Sequence, residues 1–408
     1  MLPGRHLPLL VAIGAAAATA VAGTDWPQWR GPNRDGVSAE SGWQTAWPKT
    51  GPERLWNVSV GKGFSGVAVA EGRLFTMGNK GGTDTVYCLD SGTGRQLWKH
   101  SYSCRSGTDA GPRVTPTVDG NRAYTLSREG HLFCFDASTG RIIWSKAASR
   151  DLAAKIPTHG LACHPLVVGK MLILELGAKG GSVVAFNKTN GGVIWQSGFE
   201  DVGYSSPVVQ NMGGGPSVVV FTGSAVVGMR AADGHVLWRY KWKVDYQCAI
   251  ATPIVSGDKV FVSSGYGMGC ALLRVRPGRP EVLWKHKQMS NHFNSCVLWK
   301  GHLYGFDGDE RSKYKPSLKC LAFDTGKVKW SQDGLGKGSL IIADGKLIVL
   351  SERGELVIAE ATPRGFSEIS RAKVLNGKCW TAPVLACGRI YCRNHQGDLV
   401  CLNVSAKS

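Results

Sequence analysis

The chain has 408 residues, with 54 Gly, 43% hydrophobic residues and a formal net charge of +18. So much Gly beside a full apolar complement excludes a disordered chain and points to a packed core with many tight turns. The excess of 48 Lys+Arg over 30 Asp+Glu favours anionic partners such as phospholipid or lipopolysaccharide head groups or acidic proteins.

Residues 1–23 read as an export leader. Arg5 and His6 precede an apolar run, Leu7 to Val21, and small residues around Ala20-Val21-Ala22-Gly23 suit cleavage. The run is too short and Ala-rich for a membrane span, so a soluble periplasmic or secreted chain is expected, without a transmembrane helix. Export also sets nucleic acid aside as a partner, although Tyr240 and Trp242 interleave with basic residues. Residues 24–52 carry Trp26, Trp29, Trp43 and Trp47 among Pro and Gly, a mixture that forms no regular helix or strand and is too apolar for a linker. They are expected to lie on the body of the protein as a strap, with a peptide-like recognition arm as the alternative. Arg54-Leu55-Trp56-Asn57-Val58-Ser59-Val60 then looks like the end of a repeat that has no beginning.

The repeat itself appears at Cys88-Leu89-Asp90-Ser91-Gly92-Thr93-Gly94-Arg95-Gln96-Leu97-Trp98 and returns at Cys134–Trp144 and Ala185–Trp195. Looser copies end at Trp238, Trp284 and Trp330, the last read from Ala322-Phe323-Asp324-Thr325-Gly326 with two residues lost. Successive Trp residues from 98 to 330 are spaced 46, 51, 43, 46 and 46 residues apart, a period filled with short alternating strands. That is the sequence signature of propeller blades. Asp or Asn caps a turn, Thr-Gly or Asn-Gly supplies a tight hairpin, and the next strand delivers a Trp. A Trp at a fixed place in every unit is expected to pack one unit against the next, which assigns Trp56, Trp98, Trp144, Trp195, Trp238, Trp284 and Trp330 as docking residues.

Inner strands are expected to begin near Phe64, Val114, Cys163, Ser205, Ala251, Asn294, Gly338 and Thr381, giving eight blades in one domain over residues 53–404, followed by a tail at 405–408. The seventh, about 338–373, lacks the Trp. The last ends at Leu399-Val400-Cys401-Leu402-Asn403, before a Trp strand, so Arg54–Val60 is expected to complete it and close the ring. The fold expected is all-β, an eight-bladed propeller of four-stranded antiparallel blades.

The pattern small-x-Asp-x-x-Thr-Gly-x-x-x-Trp resembles the tryptophan-docking motif of the PQQ-type β-propeller repeat, shared by quinoprotein dehydrogenases and the outer-membrane-protein assembly factor BamB. The resemblance covers roughly residues 53–404, and the Asp25-Trp26-Pro27-Gln28-Trp29-Arg30-Gly31-Pro32 stretch resembles the opening of secreted PQQ-like propellers. It implies either a non-catalytic envelope scaffold with protein partners and no cofactor, acting as a monomer, or a PQQ-dependent oxidoreductase with Ca²⁺. BamB is a lipoprotein, whereas no Cys occurs here before Cys88, so no lipid anchor is expected.

Binding residues are expected in the connections between blades, which gather at the channel mouth: Arg113, His159, His164, Tyr204, Gln247, His292, Asn294 and Trp380. His159, Cys163 and His164 are metal-capable donors, but their spacing matches no metal motif and no metal site is assigned. A dehydrogenase needs cation ligands and a base. Glu175, Asp245, Asp307, Asp309 and Glu310 are the available acids; they form no convincing set, no catalytic residue is assigned, and the Asp307–Lys315 loop is read as solvated.

Of twelve Cys, Cys88, Cys134 and Cys401 share a repeat position with Ala185 and Ala322, and Cys392 aligns with Thr76, Thr125, Val262 and Gly305, so these are read as small core residues. Cys104, Cys163, Cys248 and Cys379 lie in connections and are candidates for one or two disulfides, with the pairing open. Arg239, Lys241, Lys243, Arg274, Arg276, Arg279, Lys285 and Lys287 form a basic cluster, expected on outer strands of adjacent blades: a docking face for an anionic surface or a solvated rim.

Overall fold

The computed structural model describes residues 24–105, 110–211, 215–309, 312 and 315–406; the leader and Glu310 lie outside them. Eight sheets follow one another along the chain, seven four-stranded and one five-stranded. Blade 1 runs through Ala68–Ala70, Arg73–Lys80, Thr83–Asp90 and Gln96–Ser103, from channel to rim, and the same antiparallel order repeats through blade 7 at Ser339–Ala343, Lys346–Leu350, Glu355–Glu360 and Glu368–Lys373. Blade 8 has three strands of its own, Val384–Ala386, Arg389–Arg393 and Asp398–Asn403, and Arg54–Ser59 is its outer strand, with Trp56 opposite Cys401. The ring is therefore closed by pairing two distant parts of the chain, as expected.

The repeated Trp is what joins blade to blade. In the hairpin Asp90–Arg95 the Asp90 carboxylate accepts from the N–H groups of Gly92 and Thr93 and the Thr93 hydroxyl, and Gly94 takes φ +72°. Trp56 of blade 8 lies on that Gly, and its Nε1 donates to Ser91 O at 3.1 Å. Trp98 lies likewise on Gly140 and donates to Ala137 O, Trp144 on Gly191 with Lys188 O, Trp195 on Gly234 with Ala231 O, and Trp284 on Gly326 with Phe323 O. A Cβ on Gly140 would stand 2.6 Å from the Trp98 ring, so the hairpin Gly answers both the turn and the ring above it. Each buried Trp removes roughly 150–250 Å² from water, or about 4–6 kcal/mol at ~25 cal/mol/Å² before entropy is subtracted.

Two seams differ. Trp238 is buried, but its Nε1 has no hydrogen-bond partner and lies against Gly228 of its own blade. The reason is the Arg276-Pro277-Gly278 hairpin, whose Gly278 N–H bonds Leu237 O and so folds back on the strand that carries the Trp. In blade 7 Ser370 stands at the Trp position, opposite Ile358. In its neighbour, blade 8, the third and outer strands come from distant parts of the chain, so no hairpin joins them. Residues 40–51 cover this seam: Ser370 Oγ donates to Thr45 O, Gln44 N to Val404 O, and Gly388 N to Glu40 Oε2. Trp43 and Ala372 belong there to one apolar cluster, against which Trp47 and Ile369 pack.

Three expectations are corrected. The sixth copy has lost no residues: Cys320, not Ala322, faces Trp330, so Ala322 replaces the capping Asp and Asp324 sits two places on. All twelve cysteines are free thiols. Cys104, Cys163, Cys248 and Cys379 belong to different inter-blade connections; Cys163 Sγ accepts from Glu175 N, and Cys379 Sγ donates to Gly377 O. Of the basic cluster only Arg239, Lys241 and Lys285 lie on outer strands; Lys243 and Lys287 follow them, Arg276 and Arg279 sit in the hairpin before one, and Arg274 ends a third strand, paired with Glu281 and Asp258.

Trp98→Ala is expected to lower unfolding free energy by about 3–5 kcal/mol in urea denaturation. Gly140→Ala should cost ~1–3 kcal/mol more than Gly120→Ala, because both have positive φ but only Gly140 has a ring over it. Equal costs would show that the hairpin angle alone matters.

Candidate functional site

The inner strands run away from the face where the inter-blade connections gather, so residues just before each strand form the mouth and those at its end form the opposite face. The segment Trp26–Ser38 enters from that opposite face. Trp26 exchanges two backbone hydrogen bonds with Val69, Pro27 O accepts from Val118 N, and Val37–Ser38 pairs in parallel with Ile342 and Ala343. Between these anchors the chain loops up into the channel. Arg30 and Arg34, both buried, donate to mouth-side carbonyls: Arg30 to Cys296 O, and Arg34 to Pro165 O and His164 O. Burial pushes each guanidinium down to about 10, and the hydrogen bonds to these carbonyls offset part of that cost; Pro165 O accepts from Thr117 Oγ1 as well. At the tip, Trp29 stacks on His164 at 4.2 Å and donates Nε1 to Thr252 Oγ1 at 2.9 Å. The strap is thus a plug, and its tip is the floor of the mouth.

Above Trp29 lies a cavity of about 460 Å³. Its wall is drawn from one repeat position. The strand registers align Ala68, Thr117, Leu166, Val208, Ile254, Val297, Ile341 and Val384. Four residues before them stand Phe64, Arg113, Ala162, Tyr204, Ile250, Phe293, Lys337 and Trp380, and all except Lys337 line the cavity. Lys337 has its Nζ 5.5 Å from the Trp380 ring. Phe293 and Trp380 stack at 4.0 Å, and Lys378 lies over Trp380 from the other side.

Six of the eight residues proposed from sequence line this cavity: Arg113, His159, His164, Tyr204, His292 and Trp380. Asn294 lies below, by Trp29 and Arg30, accepting from Asn291 Nδ2. Gln247 sits in a turn with φ +55° and packs on Gly223, off the cavity. Sequence reasoning missed Trp29, Phe64, Tyr266, Phe293 and Lys378. Phe64 and Phe293 carried a readable signal, since both precede an inner strand by the same interval as Tyr204 and Trp380.

Among the described residues that line the cavity, none is acidic. Glu175 is fully buried behind the wall, accepting from Gly203 N, and burial pushes its carboxyl up to about 8. Asp307 and Asp309, expected in solvent, are buried; Asp307 bonds Lys319 Nζ at 2.6 Å and Ser290 N, and Asp309 accepts from Tyr266 N. Asp245 is exposed in the 245–247 turn. A quinone held through a divalent cation needs carboxylate ligands, and among the described residues that line the cavity there are none, so its donor set does not fit that group. His164 is held neutral, well below the usual imidazole range, by burial and then by the Arg34 charge. The site offers aromatic faces and a cationic rim.

This ring of docked four-stranded blades defines a β-propeller of the PQQ-repeat class. The chain belongs to the family described as outer membrane protein assembly factor BamB, whose model matches residues 42–109 and 82–332. It is 21% identical over 367 residues to the outer membrane protein assembly factor BamB of Moranella endobia, covering 86% of this chain and 80% of that one. In fold it is similar to BamB of Moraxella catarrhalis, with a TM-score of 0.64 and 15% identity over 86% of this chain and 99% of that one. It is similar also to the quinohemoprotein alcohol dehydrogenase of Comamonas testosteroni, with a TM-score of 0.69 and 14% identity over 94% and 81%. Among the described residues no helix is long and apolar enough to cross a membrane.

Because folding raises the Glu175 carboxyl above its ordinary value, the folded chain holds a proton that the unfolded chain releases between pH 4.5 and about 8. Stability from this group is therefore present at low pH and lost as pH rises through that window, by at most ~1.4 kcal/mol per pH unit. Glu175→Gln should flatten that slope in urea unfolding followed from pH 5 to 9, and an unchanged slope would assign it to other groups.

Proposed function

We propose that the chain is a non-catalytic scaffold of the cell envelope that takes part in assembling outer-membrane proteins, receiving partner polypeptide at the channel mouth. The observation that carries this reading is the family match along residues 42–332, together with a mouth built of aromatic faces and cations and without the carboxylates that quinone chemistry requires. Phe64, Tyr204, Phe293 and Trp380 offer rigid apolar surface at low entropic cost, the composition enriched at protein–protein contacts. Arg113, Lys337 and Lys378 add a charge preference for acidic segments. On this reading no cofactor is needed, the chain works on the outer side of the inner membrane, and the basic cluster is secondary: Arg239 is already paired with Glu200, and Lys285 lies over Trp242.

Cells lacking the chain should assemble outer-membrane β-barrel proteins less well. Wild type should restore assembly, whereas a Phe293→Ala/Trp380→Ala double variant with an unchanged circular dichroism spectrum should not. In parallel, purified protein given PQQ and Ca²⁺ should show no dye-linked oxidation of alcohols or sugars. Turnover there, or full rescue by the double variant, would overturn the reading.

A further inference from the structure

The mouth is not the only place where chemistry-bearing side chains converge. Cys104 follows the outer strand of blade 1, while Glu129 and His131 belong to the hairpin joining the second and third strands of blade 2. Cys104 Sγ, a Glu129 carboxylate oxygen and a His131 ring nitrogen all lie within 4.8 Å of one another, and among the described residues no other group of His, Cys, Asp and Glu does so. A thiol, an imidazole and a carboxylate are the donor set of a borderline-soft divalent ion, and three protein donors with a fourth position for water is a geometry that zinc accepts. We propose that Cys104, Glu129 and His131 bind a divalent cation of the Zn²⁺ class across the seam between blades 1 and 2.

A second feature points the same way. Asp84, with none of its surface exposed, keeps Oδ1 on Asn79 Nδ2 at 2.6 Å but has no hydrogen-bond partner at Oδ2. Its carboxylate lies beside the Cys104 thiol. A buried carboxylate oxygen left without a partner beside the donor cluster costs free energy that a divalent cation placed there would offset.

The donors are also held in place. Cys104 N donates to Gly82 O, and Cys104 O accepts from Asn79 Nδ2, the same amide that fixes Asp84. In blade 2 a single hydroxyl holds both donors, since Ser127 Oγ accepts from the backbone N–H of Glu129 and of His131 and lies 3.1 Å from His131 Nδ1. Such outer contacts orient ligating side chains. The competing partner of Glu129 is Arg105, at 3.6 Å, but that side chain is 93% exposed and its ion pair correspondingly weak. A cation here would join two blades at the start of the connection that leads to Arg113. The proposal does not depend on what the mouth binds.

The test is titration of the chelator-treated, purified chain with Co²⁺, followed by displacement with Zn²⁺. One Co²⁺ per chain with a near-ultraviolet thiolate charge-transfer band is expected, and Zn²⁺ should abolish the band and raise the thermal midpoint. Cys104→Ser should lose the band, and His131→Ala should weaken binding by at least about tenfold, each with an unchanged circular dichroism spectrum. Because Cys104 is buried, the half-exposed His131 provides a second variant that leaves the core intact. Absence of a band in the wild type, or a band and affinity unchanged in both variants, would overturn the site.

Discussion

At five of the eight seams a blade is held to the next by an indole ring laid on a glycine. The contact requires a left-handed turn residue without a Cβ, a carbonyl for the indole N–H, and a strand that brings the ring to that place, and the repeat supplies all three within eleven residues. Because each seam is local, blades tolerate wide sequence drift provided this contact survives. Where it fails, something else occupies the place: at the blade 7–8 seam, where Ser370 replaces the Trp, Trp43 and Trp47 come from the other end of the chain. The ring and the strap are one structural solution.

The mouth follows from the same periodicity. A single repeat position, read around the ring, places Phe64, Tyr204, Phe293 and Trp380 beside Arg113 and Lys337, while the plug bearing Trp29 closes the channel below. Dehydrogenases share this ring, so the difference between a scaffold and an enzyme has to lie in the side chains at such positions. Here the acids that enzymatic chemistry would call on are sequestered: Glu175 behind the wall and Asp307 against Lys319.

Most of the architecture was legible because docking Trp, capping Asp and turn Gly each have a local cause. The eight blades and the closure by Arg54–Ser59 follow from counting them. What sequence hid was contact between distant segments. Nothing in Trp26–Ser38 shows that it enters the channel, since its partners Val118, Thr252 and Cys296 are unrelated to it in pattern. Gln247 and Asn294 were placed by proximity to an inner strand, but side-chain direction is set by local backbone angles and neighbours that the repeat does not encode. The Cys104, Glu129 and His131 cluster was equally invisible, because its donors come from two blades and resemble no linear motif.

The plug also bears on how the molecule is made. Trp29 meets a partner 223 residues away and Arg30 one 266 residues away, and Arg54–Ser59 pairs with Asp398–Asn403. These loops are far longer than any within a blade, which is built from neighbours in sequence. The segment synthesised early is therefore the segment fixed late: blades can form in order as the chain emerges, but the floor of the cavity waits for blade 6 and the ring for blade 8. A chain interrupted after blade 7 would carry formed blades and docked tryptophans, yet have an open ring and, without Trp380, no completed mouth.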